Sequence, residues 1–247
     1  MINMSKINEL KEIIASSDNI VFFGGAGVST ESGIPDFRSE DGIYKTLEKY
    51  GAPPEIILSR SYFQSNPKNF YKYYKENLIH AHAEPNDAHL AIAKLEKIGK
   101  MKAVVTQNID GLHQKAGSEN VLELHGSILR NKCMNCGNSY ELDHIIKSEE
   151  LPRCSCGGLI KPDVVLYEEP LDNRIMSLAI EHIANAEVLI IGGTSLVVYP
   201  AAGLIDYFSG DNLILINKGS TSYDNQANLV INESIGEVFK KVMENKK

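Results

Sequence analysis

Ile20-Val21-Phe22-Phe23 is an apolar run that stops abruptly on Gly24-Gly25-Ala26-Gly27. A strand without polar alternation has no side to show to water, so it must be covered on both faces. The pattern recurs. Ala103-Val104-Val105-Thr106, Val188-Leu189-Ile190-Ile191 (running into Gly192-Gly193), Leu213-Ile214-Leu215-Ile216-Asn217 and Leu229-Val230-Ile231 all read as short strands. Helical spacings lie between them: Ile7, Leu10, Ile13 and Ile14; Leu90 to Leu95; Ile175, Leu178, Ala179, Ile183 and Ala184; and Ile235–Met243. Strands alternating with helices predict a parallel, doubly wound, Rossmann-like α/β sheet.

Two stretches break the alternation. Residues 39–85 hold no convincing buried strand, and Pro53-Pro54 and Pro67 mark helix starts there. Residues 127–163 are polar and carry all the cysteines. Both read as insertions forming a smaller helical and zinc-binding module beside the sheet. The expected division is 1–38, 86–126 and 164–247 for the nucleotide-binding domain, and 39–85 with 127–163 for the small one. A chain of 247 residues suits one large domain or one and a half.

Cys133-Met134-Asn135-Cys136 and Cys154-Ser155-Cys156 each lead into glycine. Tetrahedral zinc is served by paired thiolates on tight turns, and one intervening residue in the second pair tightens its turn without removing a ligand. The alternatives are two disulfides or four free thiols. The N-terminus lacks a signal-peptide core, so a reducing, cytoplasmic setting is expected, where disulfides are rare. With Cys133, Cys136, Cys154 and Cys156 filling all four positions, no place is open for a substrate water. The expected zinc is therefore structural.

The net charge of -7 argues against a generic nucleic-acid binder, which needs a basic face. No run approaches the roughly 18–20 apolar residues of a membrane helix. Neither nucleic acid nor membrane is expected as a partner.

Gly25-Ala26-Gly27-Val28-Ser29-Thr30 follows a strand as a dinucleotide fingerprint would, with Thr30 in the last glycine place. Small residues let backbone approach a pyrophosphate, and a following helix N-terminus would favour its charge. A plain tight turn reads equally well from this loop alone. Its context adds weight. Thr106-Gln107-Asn108-Ile109-Asp110, Gly193-Thr194-Ser195 and Asn217-Lys218-Gly219 also end strands, and strand C-termini of a doubly wound sheet face one crevice. An ordinary dehydrogenase carries an acidic residue about 20 positions past the glycines. Tyr44–Tyr50 occupies that region without a strand to end, so the dinucleotide must sit differently. In Asp36-Phe37-Arg38, Arg38 could pair with phosphate and Phe37 cover a ring, or Asp36 and Arg38 could form a helix-capping ion pair. His125 ends the run Val121-Leu122-Glu123-Leu124. A lone histidine there is more often structural, yet apart from His113 it is the only ring base near the polar strand ends.

These residues resemble the sirtuin family. Gly25 to Ser29 and Ser32 to Arg38 are similar to its glycine-loop signature. Thr106 to His113, Leu124-His125-Gly126, the cysteine pairs, Lys161 to Val165 and Gly193 to Val198 follow in the family's order. The match spans nearly the whole chain and resembles bacterial class U. It implies an NAD-dependent protein-lysine deacetylase. His125 would be the proton acceptor, with Asn108 and Asp110 at the ribose and nicotinamide and Gln107 at the ribose. Ala26, Thr30, Phe37, Arg38 and Ile109 would line the dinucleotide. Thr194, Ser195 and Asn217, with backbone near Ser234 and Ile235, would hold the adenosine half. Phe37 would also shield the sugar intermediate. The acetyl-lysine oxygen would attack the anomeric carbon as nicotinamide leaves, and His125 would then free the ribose hydroxyl to attack in turn. The zinc would take no part. Acetylated protein lysines are the implied substrates, and a monomer is expected.

Three departures stand out. Gly24 replaces a usual Thr, expected to loosen the loop slightly. In Val165-Leu166-Tyr167-Glu168-Glu169, Glu168 replaces a Gly in the segment expected to pair with substrate. With Val165 and Tyr167 it is a candidate substrate contact; it could narrow peptide choice, favour basic flanks, or point to solvent. Tyr71-Lys72-Tyr73-Tyr74 lacks the Arg of desuccinylating relatives, which favours acetyl, although Lys75 lies next door. The alternatives are a mono-ADP-ribosyltransferase, a deacylase for longer acyl groups, a nicotinamide dehydrogenase and a non-catalytic zinc adaptor. The missing second-strand acid opposes the dehydrogenase. An adaptor would not need Asn108, Asp110 and His125 intact.

Overall fold

The computed structural model describes residues 3–36 and 40–244. The strands are β1 (Ile20–Gly24), β2 (Met101–Thr106), β3 (Val121–Glu123), β4 (Gly126–Cys133), β5 (Ser139–Glu141), β6 (Ile160–Val164), β7 (Val188–Gly192), β8 (Asn212–Ile216) and β9 (Leu229–Ile231). The helices are α1 (Met4–Ser16), α2 (Glu40–Tyr50), α3 (Pro54–Ile57), α4 (Arg60–Ser65), α5 (Pro67–Asn77), α6 (Asp87–Lys97), α7 (Leu112–Lys115), α8 (Leu142–Lys147), α9 (Asn173–Asn185) and α10 (Ile235–Met243).

Six strands form a parallel sheet in the order β3-β2-β1-β7-β8-β9. The order reverses between β1 and β7, the switch point of a Rossmann-like sheet. Every residue of β1 and β7 is buried, as their unbroken apolar runs require. Phe22 turns to one face, where Ile7, Leu10, Ile92 and Phe239 of α1, α6 and α10 cover it. Val21 and Phe23 turn to the other, under Ala179 and Ile183 of α9 and the turn Ala201–Tyr207. Burying one such phenylalanine contributes about 1.5–3 kcal/mol. Among the described residues no helix is long and apolar enough to cross a membrane.

A second sheet, antiparallel in the order β5-β4-β6, lies in the cysteine-bearing stretch. It shares one core with the helices of residues 54–77: Phe63, Phe70, Tyr71 and Tyr74 pack with Ile128, Ile145 and Ile160. The Tyr71 hydroxyl donates to the Ile160 carbonyl. Pro54 and Pro67 open α3 and α5, where a missing N–H costs nothing.

Tight turns, one of the two readings of the glycine loop, follow it in place of a helix. Ala26–Val28 and Thr30–Ser32 are single 3-10 turns. Gly33, at φ +82°, closes the second turn with its N–H on Thr30, and Pro35 brings no N–H to continue it. At Gly24 the Phe22 ring fills the space that a threonine side chain would take. A Cβ at Gly24 would lie 2.7 Å from that ring.

Candidate active site

The glycine loop interlocks with the turn that ends β7. Gly25 N–H donates to the Gly192 carbonyl at 3.2 Å, and Gly27 N–H to the Gly193 carbonyl at 2.7 Å. A Cβ on Gly27 would sit 2.7 Å from Gly193 Cα, and one on Gly25 2.6 Å from Thr194 Cβ. These glycines therefore admit the neighbouring turn. Val28 and Ser29 N–H bond back to Gly25 and Ala26, so four amides of the loop are engaged within the protein. Thr30 Oγ1 donates to the Gly27 carbonyl at 3.0 Å.

Beside this interlock the polar ends of β2 and β3 meet the loop. Ser29 is buried, and its Oγ donates to Asp110 Oδ2 at 2.7 Å. Asn108 Nδ2 donates to the same Oγ at 3.1 Å. The other Asp110 oxygen accepts Leu112 N–H at 2.9 Å, at the start of α7. One hydroxyl thus orients both polar side chains named in the sequence. Ser29 itself was not among the expected site residues. Gln107 is buried, and its Nε2 reaches Thr194 Oγ1 at 3.2 Å.

His125 Nδ1 lies 3.0 Å from the Gln107 carbonyl. A carbonyl only accepts, so Nδ1 carries the hydrogen and a neutral ring has its lone pair on Nε2. His113 cannot be the alternative base. It is buried in contact with Phe22 and His89, and neither ring nitrogen has a partner among the described residues. Burial pushes its pKa well below the ordinary value, as it does for His89, pushed down to about 4.

Ala26, Ser29, Gln107, Asn108, Ile109, Asp110, His125, Val165, Tyr167 and Glu168 all line one cleft. Among the described residues, Thr30, Thr194, Ser195, Asn217, Ser234 and Ile235 do not line it. Thr194 joins it through Gln107. Ser195 is exposed, and Asn217 Nδ2 folds onto the Gly219 carbonyl at 3.0 Å. Ile235 is buried under the switch point; a Cβ on Gly192 would meet its Cδ1 at 2.1 Å. Next to it, Gly236 N–H donates to Glu31 at 2.7 Å, so a loop carboxylate holds the start of α10. Phe37 and Arg38 lie outside the described residues. Glu168 accepts from Ser61 N–H at 2.9 Å and Ser61 Oγ at 2.8 Å.

The four cysteines form a separate centre. Their sulfurs all lie within 4.8 Å of one another, with Cys133···Cys156 at 3.6 Å and Cys136···Cys154 at 3.4 Å. A disulfide needs about 2.05 Å, while tetrahedral zinc–thiolate bonds put sulfurs about 3.8 Å apart. Asn135 and Cys156 N–H point at Cys133 and Cys154 Sγ at 3.4 and 3.5 Å, as a thiolate acceptor invites. The donor set fits zinc, and among the described residues no His, Asp or Glu joins the four cysteines.

A model of the Sir2 family matches residues 25–200, which include the glycine loop, the polar strand ends and the four cysteines. The chain belongs to the Sir2 family. An NAD-dependent protein deacetylase of Clostridium acetobutylicum is 60% identical over 245 residues, covering 98% of this chain and 100% of the relative. A Sir2 variant solved with deacetylated p53 peptide and 3′-O-acetyl-ADP-ribose superposes with a TM-score of 0.88 at 40% identity, covering 96% and 97% of the two chains. A Sir2 bound to p53 peptide and NAD+ does so at 0.85 and 38%, with the same coverage.

Proposed function

We propose that this chain is an NAD-dependent protein-lysine deacetylase. It moves the acetyl group of Nε-acetyl-lysine to ADP-ribose and releases nicotinamide and O-acetyl-ADP-ribose. The observation that carries this reading is the convergence of Ser29, Asn108, Asp110 and His125 on one cleft at the switch point. Joining a weak amide oxygen to a sugar carbon is a positioning task, and side chains held by other side chains suit it. Asn108 and Asp110 orient the ribose and carboxamide of the NAD co-substrate. His125, its tautomer set by the Gln107 carbonyl, accepts a proton at Nε2. Ala26, Thr30, Phe37, Arg38, Gln107 and Ile109 serve the nicotinamide and phosphate half; Thr194, Ser195, Asn217, Ser234 and Ile235 serve the adenosine half. Val165, Tyr167 and Glu168 lie on the peptide side. Cys133, Cys136, Cys154 and Cys156 hold one structural zinc away from the proton transfers. The domain division read from the sequence goes with this: the parallel sheet takes NAD, and residues 39–85 and 127–163 frame the peptide.

Acetyl suits the cleft better than an acidic acyl chain. Tyr71 and Tyr74 are fully buried in the aromatic core, and Lys75 Nζ is turned to the Ser148 carbonyl and hydroxyl. Lys72, the other cation of that run, is exposed, and neither lysine lines the cleft.

The test is an acetyl-lysine peptide with and without NAD. Deacetylation is expected only with NAD, and His125→Ala should lower it about 10²–10⁴-fold with the melting temperature nearly unchanged. Radiolabel from the ADP-ribose part of NAD should appear in acetyl-ADP-ribose. Label on protein, or activity that survives without NAD, would overturn the reading.

A further inference from the structure

Glu168 has a φ of +73°, a backbone conformation glycine adopts freely and L side chains adopt at a cost. Leu196 is the only other described non-glycine residue with positive φ. Such an outlier persists where its surroundings hold it. Here the holding group is Ser61, whose N–H and hydroxyl donate to the two carboxylate oxygens at 2.9 and 2.8 Å. The backbone repeats the tie one residue earlier. Tyr167 N–H donates to the Leu58 carbonyl, and Arg60 N–H to the Tyr167 carbonyl, both at 3.0 Å. Residues 167 and 168 are thus fastened at four points to the turn that opens α4. At the other end, Val165 N–H donates to the His125 carbonyl at 3.0 Å. The segment spans from the histidine to the helical module, and it lines the cleft.

We propose that Glu168 is a positioning residue for the acetyl-lysine peptide: its clamp on Ser61 fixes the backbone of residues 165–168, against which the peptide lies, and it does not read the peptide's charge. The inference rests on the deacetylase reading above. Both carboxylate oxygens accept from Ser61, which holds the side chain against the turn that opens α4. A glycine here would relax the backbone and lose the clamp together.

The full-length protein and its E168G, E168Q and S61A variants are assayed on acetyl-lysine peptides with acidic, neutral and basic flanks. E168G should raise the peptide KM about three- to tenfold, equally for all three peptides, with kcat and the KM for NAD within about twofold. E168Q keeps one acceptor oxygen and should fall between it and wild type. S61A keeps the backbone N–H and should give a smaller rise, with the double variant no worse than E168G alone. A preference for basic flanks that vanishes in E168Q would overturn the proposal, as would an unchanged peptide KM in E168G. Amide exchange at Ser61 and Tyr167 needs no activity and should quicken in E168G; unchanged exchange also overturns it. If exchange quickens but wild type shows no NAD-dependent deacetylation, the deacetylase reading has failed and the peptide role with it, while the clamp itself stands.

Discussion

Ser29 shows how much one hydroxyl can organise. It accepts from Asn108 and donates to Asp110, two residues that stand 79 and 81 positions away in the chain. Removing it leaves a carboxylate and an amide without their common anchor, although nothing reactive is lost. Ser29→Ala is expected to lower kcat/KM by about 10- to 100-fold, the worth of a hydrogen bond to a charged group. Urea unfolding of the same variant should move much less. Kinetics unchanged from wild type would show that Asn108 and Asp110 hold their places without it. Asn108, Asp110 and His125 were legible in the sequence because they end strands, and strand ends share a crevice. Ser29 was not, because it is one of several small polar residues in a loop whose signal lies in its glycines. Only the sheet order brings its partners to it.

At the scale of elements, α6 and α7 meet β1 through a pair of buried rings. The His89 and His113 centroids lie 4.7 Å apart, and His113 touches Phe22 at 5.9 Å. Burial keeps both rings neutral, with pKa values below those of the unfolded chain. The unfolded chain then binds more protons below about pH 6.5 than the folded one. Stability is full above that pH and is lost as pH falls from there to about 4, where His89 takes up its own proton. His89 alone should account for about 3 kcal/mol of that loss. His113→Phe removes two unpartnered nitrogens. It should leave stability at pH 7.5 within about 1.5 kcal/mol and flatten the fall in the urea midpoint between pH 7.5 and 5. An equally steep fall in the variant would place the acid sensitivity elsewhere. Elements were read from the sequence where one period dominated. The apolar strands and the helix Ile235–Met243 stand where expected. After the glycine loop, where a tight turn and a fingerprint helix were both open, Gly33 and Pro35 select the turn. The β4–β6 pairing, with 26 or more residues between partners such as Cys133 and Ile160, has no local signature at all.

For the whole molecule, the four-cysteine centre and the cleft are separate places, and no cysteine lines the cleft. The purified protein should carry about one zinc per chain, and a strong chelator should abolish its near-ultraviolet circular dichroism from the tyrosine core along with activity. Cobalt or cadmium in its place should restore kcat to within about twofold, since no step needs a Lewis acid there. A large change in kcat with the identity of the metal would move zinc into the chemistry. The general architecture was legible because alternation of strand and helix is written along the whole chain. That the two insertions make one module was legible too, but which residues pack between its halves was not, because β2 and β3 separate them in the chain. That separation also sets a hazard during synthesis. When the ribosome has made the first 126 residues, β1, β2 and β3 are complete, and Phe63, Phe70, Tyr71 and Tyr74 are waiting for Ile128, Ile145 and Ile160. Until the cysteine-bearing half emerges, the nascent chain exposes an aromatic face with no cover, and chaperones have most to protect at that point.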